Sequence, residues 1–201
     1  MSKNFAYSRN KYSPDTNSEG NGLVILATLC HIIKGNRLLL KKAVRGISKG
    51  KWNAPGGKIV GKETPTEGAE REVLEETGLK VNHIFYHGSI DYYMFGKRTL
   101  HTRAYLFSTR NFRGRTKSTG EGGLRWFHKD ELPYRQMWPD DRHWIPHMIL
   151  GSRFNAKFYL GDDNSRVVRY VITSREGDRE DSVSNGCVRK SSKPRSRLLL
   201  A

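Results

Sequence analysis

The chain is short of cysteine, of acidic residues and of long apolar runs, and each shortage excludes something. Two cysteines in 201 residues, Cys30 in an apolar run and Cys187 in a polar stretch near the end, do not make a disulfide framework. A reducing compartment is therefore expected, with a cytoplasmic location and Cys30 as a small core residue. No stretch approaches the roughly 20 apolar residues that a membrane helix needs. The longest apolar run, residues 23–33, is one strand long and carries His31. No membrane partner is expected. The opening MSKNFAYSRN is polar and has no apolar signal core, so export is not expected either.

The acidic shortage is large: 20 Asp and Glu against 36 Lys and Arg, a formal net charge of +16. Residues 1–21 hold three basic and two acidic residues, and residues 173–201 hold seven and four, so the 151 residues between keep +12. A basic surface of that size serves solubility or draws in a polyanionic ligand, and charge alone does not choose.

Three segments follow from the pattern. Residues 1–21 read as a flexible polar arm, 22–172 as a globular domain, and 173–201 as a polar tail turning basic at RKSSKPRSR. That tail offers weak, salt-sensitive nucleic-acid association, although a heparin-like or nuclear-import role suits it equally. Within the domain, runs 23–33 and 37–41 flank a hairpin turn, and residues 64–77 are helical. Strands are expected at 81–87, 89–95 and 99–108, with a hairpin loop at Gly96-Lys97. A loop over 111–123 precedes a short strand at 124–128. A second helix follows Asp140-Asp141 and stops near Gly151, with Pro146 splitting or bending it. Runs 154–160 and 166–172 make a closing hairpin.

Residues 57–79, GKIVGKETPTEGAEREVLEETGL, gather six of the few carboxylates. Thr64, Pro65 and Glu67 form a capping box with proline at the first helical position, and Gly78 is a stop. At 100° per residue, Glu72, Glu75 and Glu76 fall within about 100° of one another, while Val73, Leu74 and Thr77 point to a core. Arg71 stands four residues before Glu75 and pairs with it. A solvated charged face alternates its signs, and this one does not. Either it is nevertheless a plain solvated helix, or its three hard carboxylates await a divalent cation, Mg²⁺ or Mn²⁺. Pro55-Gly56-Gly57 adds a turn where a carbonyl can face such an ion.

Gly57, Glu63 and the run Arg71-Glu72-Val73-Leu74-Glu75-Glu76-Thr77-Gly78-Leu79 closely resemble the Nudix box. The resemblance implies a hydrolase of nucleoside diphosphates linked to a further group, with an α/β (α+β) fold: a mixed β-sheet sandwiched between helices. By position, Glu72, Glu75 and Glu76 would hold the metal together with the Gly56 carbonyl. Arg71 would orient a glutamate, and Glu63 would brace the loop. Glu76 and Glu121 are the candidates for general base.

The substrate must be read elsewhere. Trp138-Pro139-Asp140-Asp141 sets an aromatic plate beside two carboxylates. Taken alone, this is either a helix cap with a core tryptophan or a base pocket. Together with Trp126, Leu132-Pro133, Trp144, Pro146 and Phe154, it resembles the MutT-type branch of oxidised purine nucleoside triphosphate hydrolases. That resemblance implies a base pocket of Trp138, Asp140, Asp141 and Asn53 over a floor of Thr28 and Leu29. It also implies that Glu121 is a further metal ligand. Three pocket phenylalanines of the branch fall on Ile47, Tyr92 and Met94. The expected substrate is a nucleoside triphosphate such as 8-oxo-dGTP, taken to the monophosphate and pyrophosphate. The alternatives are a dinucleoside polyphosphate, a capped RNA end, or a non-catalytic scaffold associated with nucleic acid.

Overall fold

β1 (Ile25–Lys34) and β2 (Arg37–Lys42) meet at the two-residue turn Gly35-Asn36, where Gly35 takes a left-handed φ of 56°. The computed structural model describes residues 24–117 and 123–174. The other elements are β3 (Trp52–Asn53), α1 (Pro65–Thr77), β4 (Lys80–Val81), β5 (Phe85–Tyr93), β6 (Thr102–Thr109), β7 (Phe112–Arg113), β8 (Leu124–His128), α2 (Asp141–Ile149), β9 (Phe154–Leu160) and β10 (Val167–Ser174). The main sheet runs β10-β9-β5-β6-β1-β2-β3, with β8 also paired to β2. It is mixed: β1–β6 and β5–β9 are parallel, and the remaining pairs are antiparallel.

Strand alternation sends neighbouring residues of β1 to opposite faces. Cys30 and Ile32 go with Leu39 and Phe107 to one core, which Ala69 and Val73 of α1 close. Ile33, Leu38, Leu40, Ile90 and Phe158 form the other, closed by Trp144, Ile145 and Met148 of α2. The sheet therefore lies between the two helices, as the α/β (α+β) expectation requires. Cys30 is fully buried, and burial pushes its thiol up to about 12, which suits an inert core residue. Among the described residues no helix is long and apolar enough to cross a membrane.

α1 starts and stops as its sequence dictates. The Glu67 amide donates to Thr64 Oγ1 at 3.2 Å, Glu67 Oε2 accepts from the Thr64 amide at 2.7 Å, and Gly78 ends the helix at φ 73°. Such a cap stabilises by about 1 kcal/mol.

Three expectations are corrected. Leu74 is exposed and Glu76 is buried, because the inward stripe of α1 is Ala69, Val73, Glu76 and Thr77, spaced i, i+4, i+7, i+8. The strands expected at 81–87 and 89–95 join in one strand, β5, from Phe85 to Tyr93, while Val81 belongs to β4: Gly88, at φ 138°, makes a bulge where the register shifts instead of a break. A Cβ on Gly88 would run into the Phe154 carbonyl of the adjacent strand. Finally, the segment expected as a loop over 111–123 contains β7, which pairs with β4 in a small second sheet.

Candidate active site

Residues 55–57 lie along β1. The Cys30 amide donates to the Pro55 carbonyl and the Thr28 amide to the Gly57 carbonyl, each at 2.8 Å. Gly56 between them faces the other way and donates its amide to Glu76 Oε2 at 2.9 Å. Extended backbone carries a residue's N–H and C=O on the same side, so the Gly56 carbonyl belongs on the Glu76 side too. The two glycines leave room for different neighbours. A Cβ on Gly56 would strike the Thr28 carbonyl, and one on Gly57 would strike the Glu72 carboxylate.

Arg71 organises the carboxylates around that turn. Its Nε and Nη2 donate to Glu63 at 2.9 and 2.7 Å, a two-pronged pair, and Nη2 also reaches the Lys58 carbonyl at 3.0 Å. Its Nη1 donates to Glu72 at 2.8 Å and to Glu75 at 3.1 Å. Glu63 also accepts from the Val60 amide at 2.8 Å. The Arg71 hydrogen bonds hold the Glu63 carboxyl down to about 2, and the same bonds push the guanidinium well up. Glu76 is turned to Lys41 of β2, with which it forms an ion pair.

Glu72 and Glu75 thus meet on one guanidinium nitrogen, while Glu76 stands aside on Lys41 and Gly56. No group of three His, Cys, Asp or Glu side chains among the described residues is already gathered for a metal. The donor set nonetheless fits a hard divalent cation. It comprises three carboxylates on one helix, a glycine turn that presents backbone to Glu76, and a position at Gly57 that the Glu72 carboxylate leaves no room to fill. Glu72, Glu75, Glu76 and the Gly56 carbonyl are the groups that can hold one. Glu121 lies outside the described residues.

On the α2 side of the sheet, Asp140 and Asp141 are buried at 0% and 2% exposure. Asp140 stands at the N-cap position of α2, but its side chain makes no capping bond. Its Oδ2 instead accepts from the Tyr92 hydroxyl at 2.8 Å and Trp144 Nε1 at 3.0 Å, and its Oδ1 is buried without a partner. Asp141 Oδ2 accepts from the Trp138 amide at 3.0 Å. Burial raises both carboxyls, and the two donors on Asp140 restrain its rise. Asp141 goes further, because it also faces the charge of Asp140. Trp138 is fixed by Nε1 donating to Ser48 Oγ at 3.1 Å, with Lys51 Nζ 5.3 Å from its ring centre.

Leu29 and Trp138 pack against this same core. Thr28, the neighbour of Leu29, turns the opposite way: its Cγ2 lies 3.6 Å from where a Gly68 Cβ would sit, on the α1 side. The Thr28 side chain therefore does not join the aspartates. Asn53 lies opposite Lys41 in the β2–β3 ladder, and its Oδ1 accepts from the Ala54 amide at 3.0 Å. Ile47 is 58% exposed, whereas Met94 is buried.

Reading the sequence alone misses three partners: Lys41 for Glu76, and Tyr92 and Trp144 for Asp140. Trp144, four residues after Asp140 on one helix face, is the only one with a local signal.

The family model described as NUDIX domain matches residues 25–148, which takes in both the acidic helix and the aspartate pair. The chain belongs to the Nudix family. Its relatives include the oxidized purine nucleoside triphosphate hydrolase of Mus musculus, 34% identical over 147 residues, or 73% of this Nudix chain and 93% of the mouse protein. The Danio rerio protein of the same name is 37% identical over 139 residues, covering 69% and 88%. Among solved structures, the MutT protein of Bacillus halodurans is similar at a TM-score of 0.65 and 27% identity, covering 74% of this chain and 97% of that one.

Proposed function

We propose that this Nudix hydrolase converts oxidised purine (deoxy)nucleoside triphosphates, such as 8-oxo-dGTP, to the monophosphate and pyrophosphate, with Mg²⁺ as its cofactor and Mn²⁺ as a substitute. The observation that carries the reading is the buried pair Asp140–Asp141, with one unpartnered oxygen, beside Trp138. Burying an acceptor without a partner costs about 1–3 kcal/mol, a cost that a bound base relieves. Oxidation at C8 of guanine turns the N7 acceptor into an N–H donor and adds a carbonyl. A protonated Asp141 donates to a carbonyl of the base, while Asp140 Oδ1 accepts from a ring N–H or the amino group. Trp138 stacks on the ring, and Asn53 supplies a further polar edge.

Glu72, Glu75, Glu76 and the Gly56 carbonyl would hold the metal. When bound, it neutralises phosphate charge and lowers the pKa of a coordinated water. Arg71 keeps Glu72 and Glu75 on one side of the helix, and Glu63 keeps Arg71 in place. Lys41 releases Glu76 and turns to the triphosphate. Glu76 and Glu121 are the candidates to take the proton of the attacking water. The location we assign is the cytoplasm, where the nucleotide pool lies and an unpaired thiol such as Cys30 persists.

The test compares kcat/KM for 8-oxo-dGTP and dGTP with Mg²⁺, with products separated by chromatography. A preference of tenfold or more, about 1.4 kcal/mol in the transition state, is expected. Activity should vanish with EDTA and return with added Mg²⁺. Turnover of neither nucleotide would overturn the pocket and move the search to dinucleoside polyphosphates and capped RNA ends.

A further inference from the structure

At the tip of the β1–β2 hairpin the sheet carries two clefts that play no part in the site above. One, about 620 Å³, is lined by His83, Phe85, Arg110 and Phe112 with the end of α2. The other, about 490 Å³, is lined by Lys34, Arg37, Trp126 and His128 around the turn. They adjoin. Arg110 Nη1 donates to the Gly35 carbonyl of the second cleft at 3.4 Å, and Phe112 packs on Trp126 with ring centres 5.8 Å apart. Among the described residues no carboxylate lines either cleft. Asp130 is an acidic neighbour, 3.4 Å from His128 Nδ1.

The surface is built of alternating cations and rings. Lys34, Arg37 and Arg110 are exposed. Phe85 is 39% exposed, with the Arg153 guanidinium 4.9 Å from its ring centre, and Trp126 is half-buried. Arg37 is four residues along β2 from Lys41, roughly 13 Å at about 3.3 Å per residue. The band is therefore separate from the acidic helix.

We propose that this band binds single-stranded nucleic acid. Lys34, Arg37 and Arg110 take successive backbone phosphates, and unstacked bases lie on Phe85, Phe112 and Trp126. Such rings accept any base, because every base has a π-face. A duplex keeps its bases stacked inside and offers nothing to these rings. An acidic peptide satisfies the cations but leaves the aromatic faces uncovered. The proposal places the binding on the folded domain, not on the basic tail, and it does not depend on the hydrolase reading.

The test uses the full-length chain and a fluorescein-labelled 12-nucleotide single strand, followed by anisotropy across a salt series. The triple substitution Lys34→Glu, Arg37→Glu, Arg110→Glu should weaken binding at least tenfold. It should also lower the slope of log affinity against log salt by about 2, taking about 0.7 per phosphate. Hydrolase activity should be unchanged. Trp126→Leu should weaken the single strand at least threefold but leave binding of inorganic polyphosphate unaltered. If the triple substitution leaves affinity unchanged, the tails bind the strand and the proposal fails. It fails equally if polyglutamate or a 12-base-pair duplex competes as well as the single strand. Displacement by saturating 8-oxo-dGMP would also overturn it, by placing the strand in the hydrolytic site. The charge reversals are at exposed positions, so the test stands even if Trp126→Leu does not fold.

Discussion

The Tyr92 hydroxyl donates to Asp140 Oδ2 at 2.8 Å across 48 positions of sequence, leaving Asp140 Oδ1 buried and without a partner. One oxygen is committed to the protein, and in the proposed reading the other takes the base. Asp140→Asn should therefore lower the kcat/KM ratio of 8-oxo-dGTP to dGTP at least tenfold, with little change in the Mg²⁺ concentration for half-maximal activity. Equal losses on both nucleotides would show that Asp140 supports the fold and does not read the base.

The aspartate pair also makes stability depend on pH. Burial raises both carboxyls, most of all Asp141. Between the unfolded value near 4 and the raised folded value the native state holds the extra proton, so stability falls as pH rises. Asp141→Asn should raise Tm at pH 8 relative to the unsubstituted protein, and the difference should vanish below about pH 4. Thermal melts over pH 3–9 check this, and a lower Tm at pH 8 would contradict it.

Glu63 has the opposite sign. Arg71 holds its carboxyl down to about 2, so its contribution is present above the ordinary value of about 4.3 and lost as pH falls towards 2. Glu63→Gln should lower Tm at pH 7, with the gap closing through that acid range. Activity should fall as well, because Arg71 loses the partner that fixes its position against Glu72 and Glu75. A constant gap down to pH 2 would show that the pair does not titrate as the geometry requires.

Gly57→Ala places a methyl group where the Glu72 carboxylate now lies. Activity should drop at least 100-fold, about 2.7 kcal/mol, with the Mg²⁺ requirement rising. Circular dichroism should stay native, since Glu72 is a flexible side chain that can move aside. Gly56→Ala meets the Thr28 backbone instead and should lower Tm as well as activity. If both alanines behaved alike, the separate roles of the two glycines would be disproved.

Local chemistry was legible from residues close together in the chain. The capping box of Thr64 and Glu67, the stop at Gly78, the hairpin turn at Gly35 and the start of α2 each depend on groups within about one helical turn. The family resemblance likewise rests on a short run, from Gly57 to Leu79. The errors came where two distant segments had to be matched. Gly88 looked like a break because its role, room for the Phe154 carbonyl, belongs to another strand. β7 looked like a loop because its partner, β4, is separated from it along the chain by β5 and β6.

By itself the sequence determined that carboxylates would share a helix face and that two aspartates would follow a tryptophan, since both are matters of spacing along one element. Only the tertiary structure decided what each carboxylate meets. Lys41 reaches Glu76 from 35 positions away, and Tyr92 reaches Asp140 from 48. A charge or proton in a buried site is governed by the few groups within hydrogen-bonding reach, and sheet packing, not chain order, brings those groups together.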